Sequence, residues 1–482
     1  MSQKASQKAG HKTSSHQRSK KAAAWQVVHP HAAGIDVGAT EHYVAVPPDR
    51  MAEGESAVRR FGAFTQDLEM LVEWLKACLV DTVAMESTGI YWLPLFQKLE
   101  ASGINVILVD ARAVKQVPGR KTDVKDCQWL QQLHTYGLLR AAFRPEDPIC
   151  RLRTLVRHRG VLVSSAAEHV QHMQKALMQM NIHLHHVVSH LTGETGLRIL
   201  RAILAGERNP EELIKLRDAH ITRSTEEEMK QALVGDWREE VLFVLRQSLQ
   251  LWDMYHEQMD RCDLEIEKQL QRIPSAEPVI PSGPPKADPL ASAKPRKKAP
   301  QSCKRNDPVQ DLRPELARIC GLDLTQAHGL RVLTVLVILS EIGVDMSQWR
   351  HEKAFTAWLG LCPNQKISGG RVLSSRTRQV ASRAAAAFRM AAMGVAESDT
   401  WLGSFHRRMR ARMGPAAANT ATARKIAVVV YHLLKHKEAY VERDVAKYEA
   451  RIYKHQVAYL NRKAKALGMK MIPITNEQTL SE

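Results

Sequence analysis

The apolar positions of this chain first alternate and then fall into helical spacing. From Ala32, AAGIDVGATEHYVAVPP alternates on both sides of a glycine-containing turn, the pattern of two strands doubling back as a hairpin. QDLEMLVEWLKACLV then has helical spacing, TVAMES is a short strand, IYWLPLFQKLEASG a second helix, and NVILVD a strand of the buried type. After VPGRKT, the segment DVKDCQWLQQLHTYGLL lines up Trp129, Leu130 and Leu133 on one stripe, with Asp123 near the helix start. A hairpin followed by β-α units predicts a mixed α/β domain over 31–147.

Beyond Arg151 the strand signal stops. RLRTLVRHRGVLVSSAAEHVQHMQKALMQMNIHLHHVVSHL reads as one long helix or a pair, with Arg151, Arg153, Arg157, His158 and Arg159 on a basic face. A second helical block, 225–271, has heptad-like spacing suited to an antiparallel hairpin or an oligomerising coiled coil. Region 148–273 is therefore expected to be a helical arm that mediates assembly or grips nucleic acid, or else a plain helical subdomain. Prolines and lysines break every period over 274–310, which reads as a linker. A mainly helical domain is expected over 311–441, with LCPNQKISGGRVLSSRTRQ as a loop between its helices, and a basic helical tail over 442–482. Residues 1–30 carry Lys4, Lys8, Lys12, Arg18, Lys20 and Lys21 without an acid, which predicts a disordered basic arm.

Charge changes the picture: 69 Lys and Arg against 51 Asp and Glu leave a formal +18 over 482 residues, which points to a polyanionic partner. A hydrophobic content of 44% is enough for buried cores and excludes wholesale disorder. The seven cysteines are scattered and form no CxxC pair, so they read as reduced thiols rather than a zinc or redox centre. No stretch reaches the roughly 18 apolar residues of a membrane span, and the start lacks a signal-peptide core, so a soluble intracellular protein is expected. His183, His185 and His186 cluster in NIHLHHVVSH, where a helix surface is the plainer reading than a metal site.

Four carboxylates carry candidate chemistry: Asp36 on the first strand, Glu86 at the end of TVAMES, and Asp123 and Asp126 one helical turn apart. Taken singly they read as turn former, strand end, helix cap and surface charge. Together, acids gathered from strand ends and a helix face call for a divalent cation between them, and hard oxygen ligands suit Mg²⁺ or Mn²⁺. Two such ions about 4 Å apart activate a nucleophile and stabilise a leaving oxygen in phosphoryl transfer. The second candidate is Ser368 in ISGG, where two glycines let a phosphate approach the backbone. Lys366, Arg371, Arg376, Arg378 and Arg383 surround it in sequence as nucleic-acid-binding candidates, and Ser374 and Ser375 are rival nucleophiles. The loop holds no histidine or carboxylate, so a local protease-like triad is not supported.

The segments GIDVGATEHYVAV, AMESTGIYW, VDARAVKQVPGRKTDVKDCQWLQQL, GLDLTQAHGLRVLTVLVILSEIGVDMSQW and FTAWLGLCPNQKISGGRVLSSRTRQVASRAA together resemble the DEDD transposases of the insertion-sequence "one-ten" family, over about 32–440. The resemblance implies an α/β ribonuclease H-like (RuvC-like) N-terminal domain, a long helical coiled-coil arm and a mainly α C-terminal transposase domain. It assigns the catalytic, metal-binding tetrad to Asp36, Glu86, Asp123 and Asp126, and the catalytic serine to Ser368. Characterised members are recombinases guided by a structured bridge RNA that pairs with donor and target DNA. Their serine forms a covalent phosphoserine, the metal-bound acids assist, and the composite site draws on both domains in a homo-oligomer, a dimer or tetramer. A bacterial, cytoplasmic, nucleoid-associated location follows from the same resemblance. GLDLTQAHGL also resembles a helix-hairpin-helix element. The rival enzyme is a metal-dependent RuvC-like nuclease or Holliday-junction resolvase that uses water. A nucleic-acid-binding assembly protein with a decayed site is the reading outside the enzymes.

Overall fold

In the computed structural model, which describes residues 26–87, 89–109, 123–218, 224–276 and 306–472, the expected hairpin is β1 (Ala32–Val37) and β2 (Glu41–Ala45). The chain divides into two units, Met1–Arg144 and Pro145–Glu482.

In the first unit β3 (Val58–Gly62) follows the hairpin, then α1 (Thr65–Ala77), β4 (Thr82–Glu86), α2 (Trp92–Ala101), β5 (Asn105–Val109) and α3 (Asp123–Thr135). The sheet order is β3-β2-β1-β4-β5, with β1, β2 and β3 antiparallel and β4 and β5 parallel to β1. The strand β3 gave no sequence signal because it is an exposed edge carrying Arg59 and Arg60, charges that blunt an edge against further pairing. Ala33, Ile35, Val37, Val83 and Met85 bury one sheet face against Leu68, Leu71 and Leu75 of α1 and Leu95 and Leu99 of α2.

The other face is thinner, with Ala84, Val109 and Leu130 as its buried cluster. Here α3 lies directly on β1, because Gly34 has no side chain. A Cβ on it would sit 2.3 Å from the Gln131 nitrogen and 2.4 Å from the Cys127 carbonyl oxygen. At the far end of α3, His134 Nε2 is 2.9 Å from Thr82 Oγ1, at the start of β4. The N-terminus of α3 therefore points toward the C-terminal ends of β1 and β4.

The second unit begins with α4 (Asp147–Gln179), one 33-residue helix rather than a pair. Short helices α5 (Leu184–Val187), α6 (Glu194–Leu204), α7 (Pro210–Ile214) and α8 (Glu226–Leu233) lead to α9 (Glu239–Arg272). The block read as 225–271 is thus two helices. The long α9 pairs antiparallel with α4, since Gln269 Nε2 donates to the Pro148 carbonyl at 3.3 Å and His169 stacks on Tyr255 with centroids 5.5 Å apart.

Much of the basic face read on α4 turns inward. Arg159 donates from Nε and Nη2 to the two carboxylate oxygens of Asp263 of α9, which is only 1% exposed. Arg157 donates two 2.8 Å bonds to the Glu341 carboxylate, and Arg153 caps the Ser340 and Glu341 carbonyls at 3.1 and 2.8 Å. Such a bidentate pair holds helices together and leaves those guanidiniums committed within the fold.

The remainder comprises α10 (Arg313–Cys320), α11 (Val332–Ile342), α12 (Glu352–Trp358), β6 (Lys366–Ser368), β7 (Arg371–Ser374), α13 (Arg383–Val395), α14 (Trp401–Met413), α15 (Pro415–His436) and α16 (Val445–Ala466). Phe355, Phe388 and Tyr431 meet in its core. The helix-hairpin-helix candidate is the link from α10 to α11, which turns at Gly321 (φ +73°) and Gly329 (φ +82°). Residues 1–25 of the basic arm read over 1–30, the segment 110–122, and residues 277–305 of the linker read over 274–310 lie outside the described residues. Among the described residues no helix is long and apolar enough to cross a membrane.

Candidate active site

Strand register brings the first two acids together. Ile35 of β1 pairs with Met85 of the parallel β4, so Asp36 and Glu86 are the next positions on neighbouring strands. Side chains alternate along a strand, so Asp36 shares the face of Gly34, and Glu86 that of Ala84, the face covered by α3. Glu86 is buried and Asp36 half-buried.

The first turn of α3 supplies Asp123, which is exposed, and Asp126, which is half-buried. Carboxylates are favoured there by the unsatisfied N–H groups of the helix start. Cys127 behind them is fully buried and donates to the Val124 carbonyl at 3.1 Å. Burial, then the negative charges of Asp36 and Asp126, push its thiol up to about 12 against two backbone hydrogen bonds that pull it down. Asp36 and Asp126 therefore act on one and the same sulfur across the strand–helix contact. All four acids stand at one rim of the sheet, on one face.

The donor set fits a hard divalent cation, being all carboxylate oxygen. Among the described residues, however, no three His, Cys, Asp or Glu side chains are near enough to hold one ion. Binding at this rim would have to draw the acids closer. The three histidines His183, His185 and His186 have ring centroids 4.1–6.3 Å apart but likewise form no such group, and His183 Nε2 is engaged at 3.0 Å by Asn181 Oδ1.

In the second unit, the segment read as a loop around Ser368 is a β-hairpin. Ser368 pairs with Arg371 across Gly369 and Gly370, whose φ values of +53° and +75° make the two-residue turn with both central residues left-handed. The signal was the Gly-Gly pair between IS and RV; it was missed because β6 and β7 are three and four residues long and largely exposed. Ser368, Lys366, Arg371, Arg376, Arg378 and Arg383 are all exposed. The hairpin base is closed by the Pro363–Thr377 bridge and by Asn364 N–H donating to the Arg376 carbonyl at 3.0 Å.

The rival Ser374 accepts a 3.3 Å bond from Arg376 N–H, while Ser375 is exposed. Arg378 reaches the Trp358 carbonyl at 3.4 Å. Among the described residues no imidazole or carboxylate is hydrogen-bonded to Ser368. What the hairpin offers is a hydroxyl at an open glycine turn beside exposed cationic side chains, a surface that a phosphodiester can reach.

Two stretches of the chain match known families. Residues 33–182 match the family model of the DEDD IS110 type described as "Transposase", and residues 323–407 match that of "Transposase IS116/IS110/IS902 family". The first match contains all four acids, and the second contains Ser368 and its five neighbouring cations. No curated protein matches the chain. A mixed α/β sheet domain with acids on its rim, followed by a mainly helical region, is consistent with a RuvC-like DEDD architecture. The chain belongs to the IS110 family of transposases, enzymes that recombine DNA.

Proposed function

We propose that this transposase cuts and rejoins DNA through a covalent phosphoserine at Ser368, with Asp36, Glu86, Asp123 and Asp126 holding Mg²⁺ or Mn²⁺ and a structured bridge RNA choosing the sites. The observation that carries the acid half is the register of Asp36 beside Glu86 under the first turn of α3. In the step at Ser368, Oγ loses its proton and bonds to phosphorus, and a DNA hydroxyl leaves. Attack by a second DNA hydroxyl reverses the exchange, joins the new strand and frees the serine. Arg371, Arg376 and Arg378 would bind the nonbridging oxygens as charge builds there. A bound divalent ion would supply Lewis-acid stabilisation of the phosphoryl and leaving oxygens.

The +18 charge suits simultaneous DNA and RNA partners. The antiparallel α4–α9 pair is offered as the arm of a dimer or tetramer, working in the cytoplasm at the nucleoid. The test incubates protein with the RNA flanking its reading frame, donor and target DNA and Mg²⁺, then looks for a protein–DNA adduct on a denaturing gel. Wild type should form it; Ser368→Ala and Asp126→Ala should not. Cleavage without adduct, unchanged by Ser368→Ala, would make the protein a water-using nuclease instead. An adduct surviving in Ser368→Ala would move the nucleophile to Ser374 or Ser375.

A further inference from the structure

Away from the Ser368 hairpin, α14, α15 and the residues leading into α16 set three cations against three aromatic rings, with Arg424 next to one of them in sequence on α15. Arg408 lies 5.6 Å from the Phe405 centroid and 5.5 Å from that of Tyr448, and donates to the Tyr448 hydroxyl at 2.8 Å. Lys425 Nζ lies 5.7 Å from the same Phe405 ring, and Arg443 lies 4.9 Å from that of Trp401. Trp401 in turn packs edge-on to Tyr448 at 5.8 Å. The rings thus set the cations in fixed places.

Among the described residues Arg408, Arg424 and Lys425 form no ion pair, and the buried Arg424 Nε has no hydrogen-bond partner. Nearby acids are engaged elsewhere: Glu449 accepts from Ser404, Glu442 binds His328, and Asp444 caps α16. Lys425 is exposed by area yet hemmed in at its ammonium, so desolvation, then Arg443, Arg424 and Arg408, lower its pKa. Gathering like charge this way is unfavourable until an anion arrives.

The cluster also has a direction. Beyond Arg443 the exposed Lys447, Arg451 and Lys454, and two turns further Arg462 and Lys465, fall on one stripe of α16 roughly 27 Å long at 1.5 Å per residue. Beyond Tyr448 this helix buries no residue. An extended row of cations starting from a fixed cluster fits a polymer of regularly spaced anions better than one small ion.

We infer that Arg408, Arg424, Lys425 and Arg443, continued by the stripe on α16, form a nucleic-acid backbone site separate from the Ser368 hairpin, taking consecutive phosphodiesters of DNA or RNA. This rests on the reading that the protein works on nucleic acid, and it adds where the backbone is held.

The test uses full-length protein and the fluorescence anisotropy of a labelled mixed-sequence DNA duplex and, separately, a labelled hairpin RNA, across a KCl series. Lys425→Gln should make the log–log salt dependence shallower by about 1, and Lys425→Gln with Arg443→Gln by about 2. Lys425→Arg should keep the wild-type slope. Lys268→Gln, on the exposed side of α9, removes the same charge and should change neither slope nor affinity. Loss confined to DNA or to RNA identifies which strand the site holds. Lys425→Gln alone, which alters an exposed side chain, decides the matter if the double variant melts early. Wild-type slopes in the variants, or equal loss in Lys268→Gln, would overturn the site while leaving Ser368 adduct formation standing. Failure of wild type to bind either probe would overturn the transposase mechanism as well.

Discussion

His134 shows how one side chain ties stability to pH. It is buried at the end of α3 away from the acid rim, bonded to Thr82, and its pKa is lowered to about 4 by burial, reinforced by His29. The folded protein therefore keeps it neutral, whereas the unfolded chain takes up a proton near 6.5. Between these values the unfolded state binds more protons, so stability falls as pH drops from about 6.5 to about 4 and levels off below. The full effect is of order 3 kcal/mol. Urea midpoints measured from pH 7 to pH 4.5 should fall in wild type and fall less in His134→Gln; parallel curves would place the pH sensitivity elsewhere. At this scale the acids were readable, because each stands at the end of a patterned element. Arg408, Lys425 and Arg443 were not, because only the convergence of three helices makes them neighbours.

The seating of α3 on β1 is the element-level feature that places half of the acids. Gly34→Ala would drive a methyl into the backbone of Cys127 and Gln131, so α3 must lift or slide. Overpacking of this kind costs about 1–3 kcal/mol. The expected outcome is a lower melting temperature together with a larger loss of DNA cleavage, measured well below the melt, since Asp123 and Asp126 move while Asp36 and Glu86 stay. Full activity in a destabilised Gly34→Ala protein would mean that the position of α3 is not limiting. Sequence periodicity revealed β1, β2, β4, β5 and α1 to α3, each patterned by one buried face. It missed β3 and the β6–β7 hairpin, whose exposed residues carry no such alternation. It also could not show that Arg153, Arg157 and Arg159 face Glu341 and Asp263, partners more than a hundred residues away.

Across the whole molecule, the described cysteines form no disulfide with one another and are distributed over both units. Cys127 lies beneath the acid rim and Cys320 in the core of the second unit, and burial pushes both thiols up to about 12. Alkylation needs an accessible sulfur, so among the described cysteines the half-buried Cys150 and Cys362 should be alkylated first in native buffer. Peptide mass spectrometry of pulse-labelled protein in rising urea should then show Cys127 and Cys320 each reacting as its own unit opens. Labelling of Cys127 as fast as Cys362 without denaturant would contradict a seated α3. The helix that carries Asp123 and Asp126 thus shields a built-in chemical clock, and how rarely it lifts can be timed on the protein itself without DNA, RNA or metal.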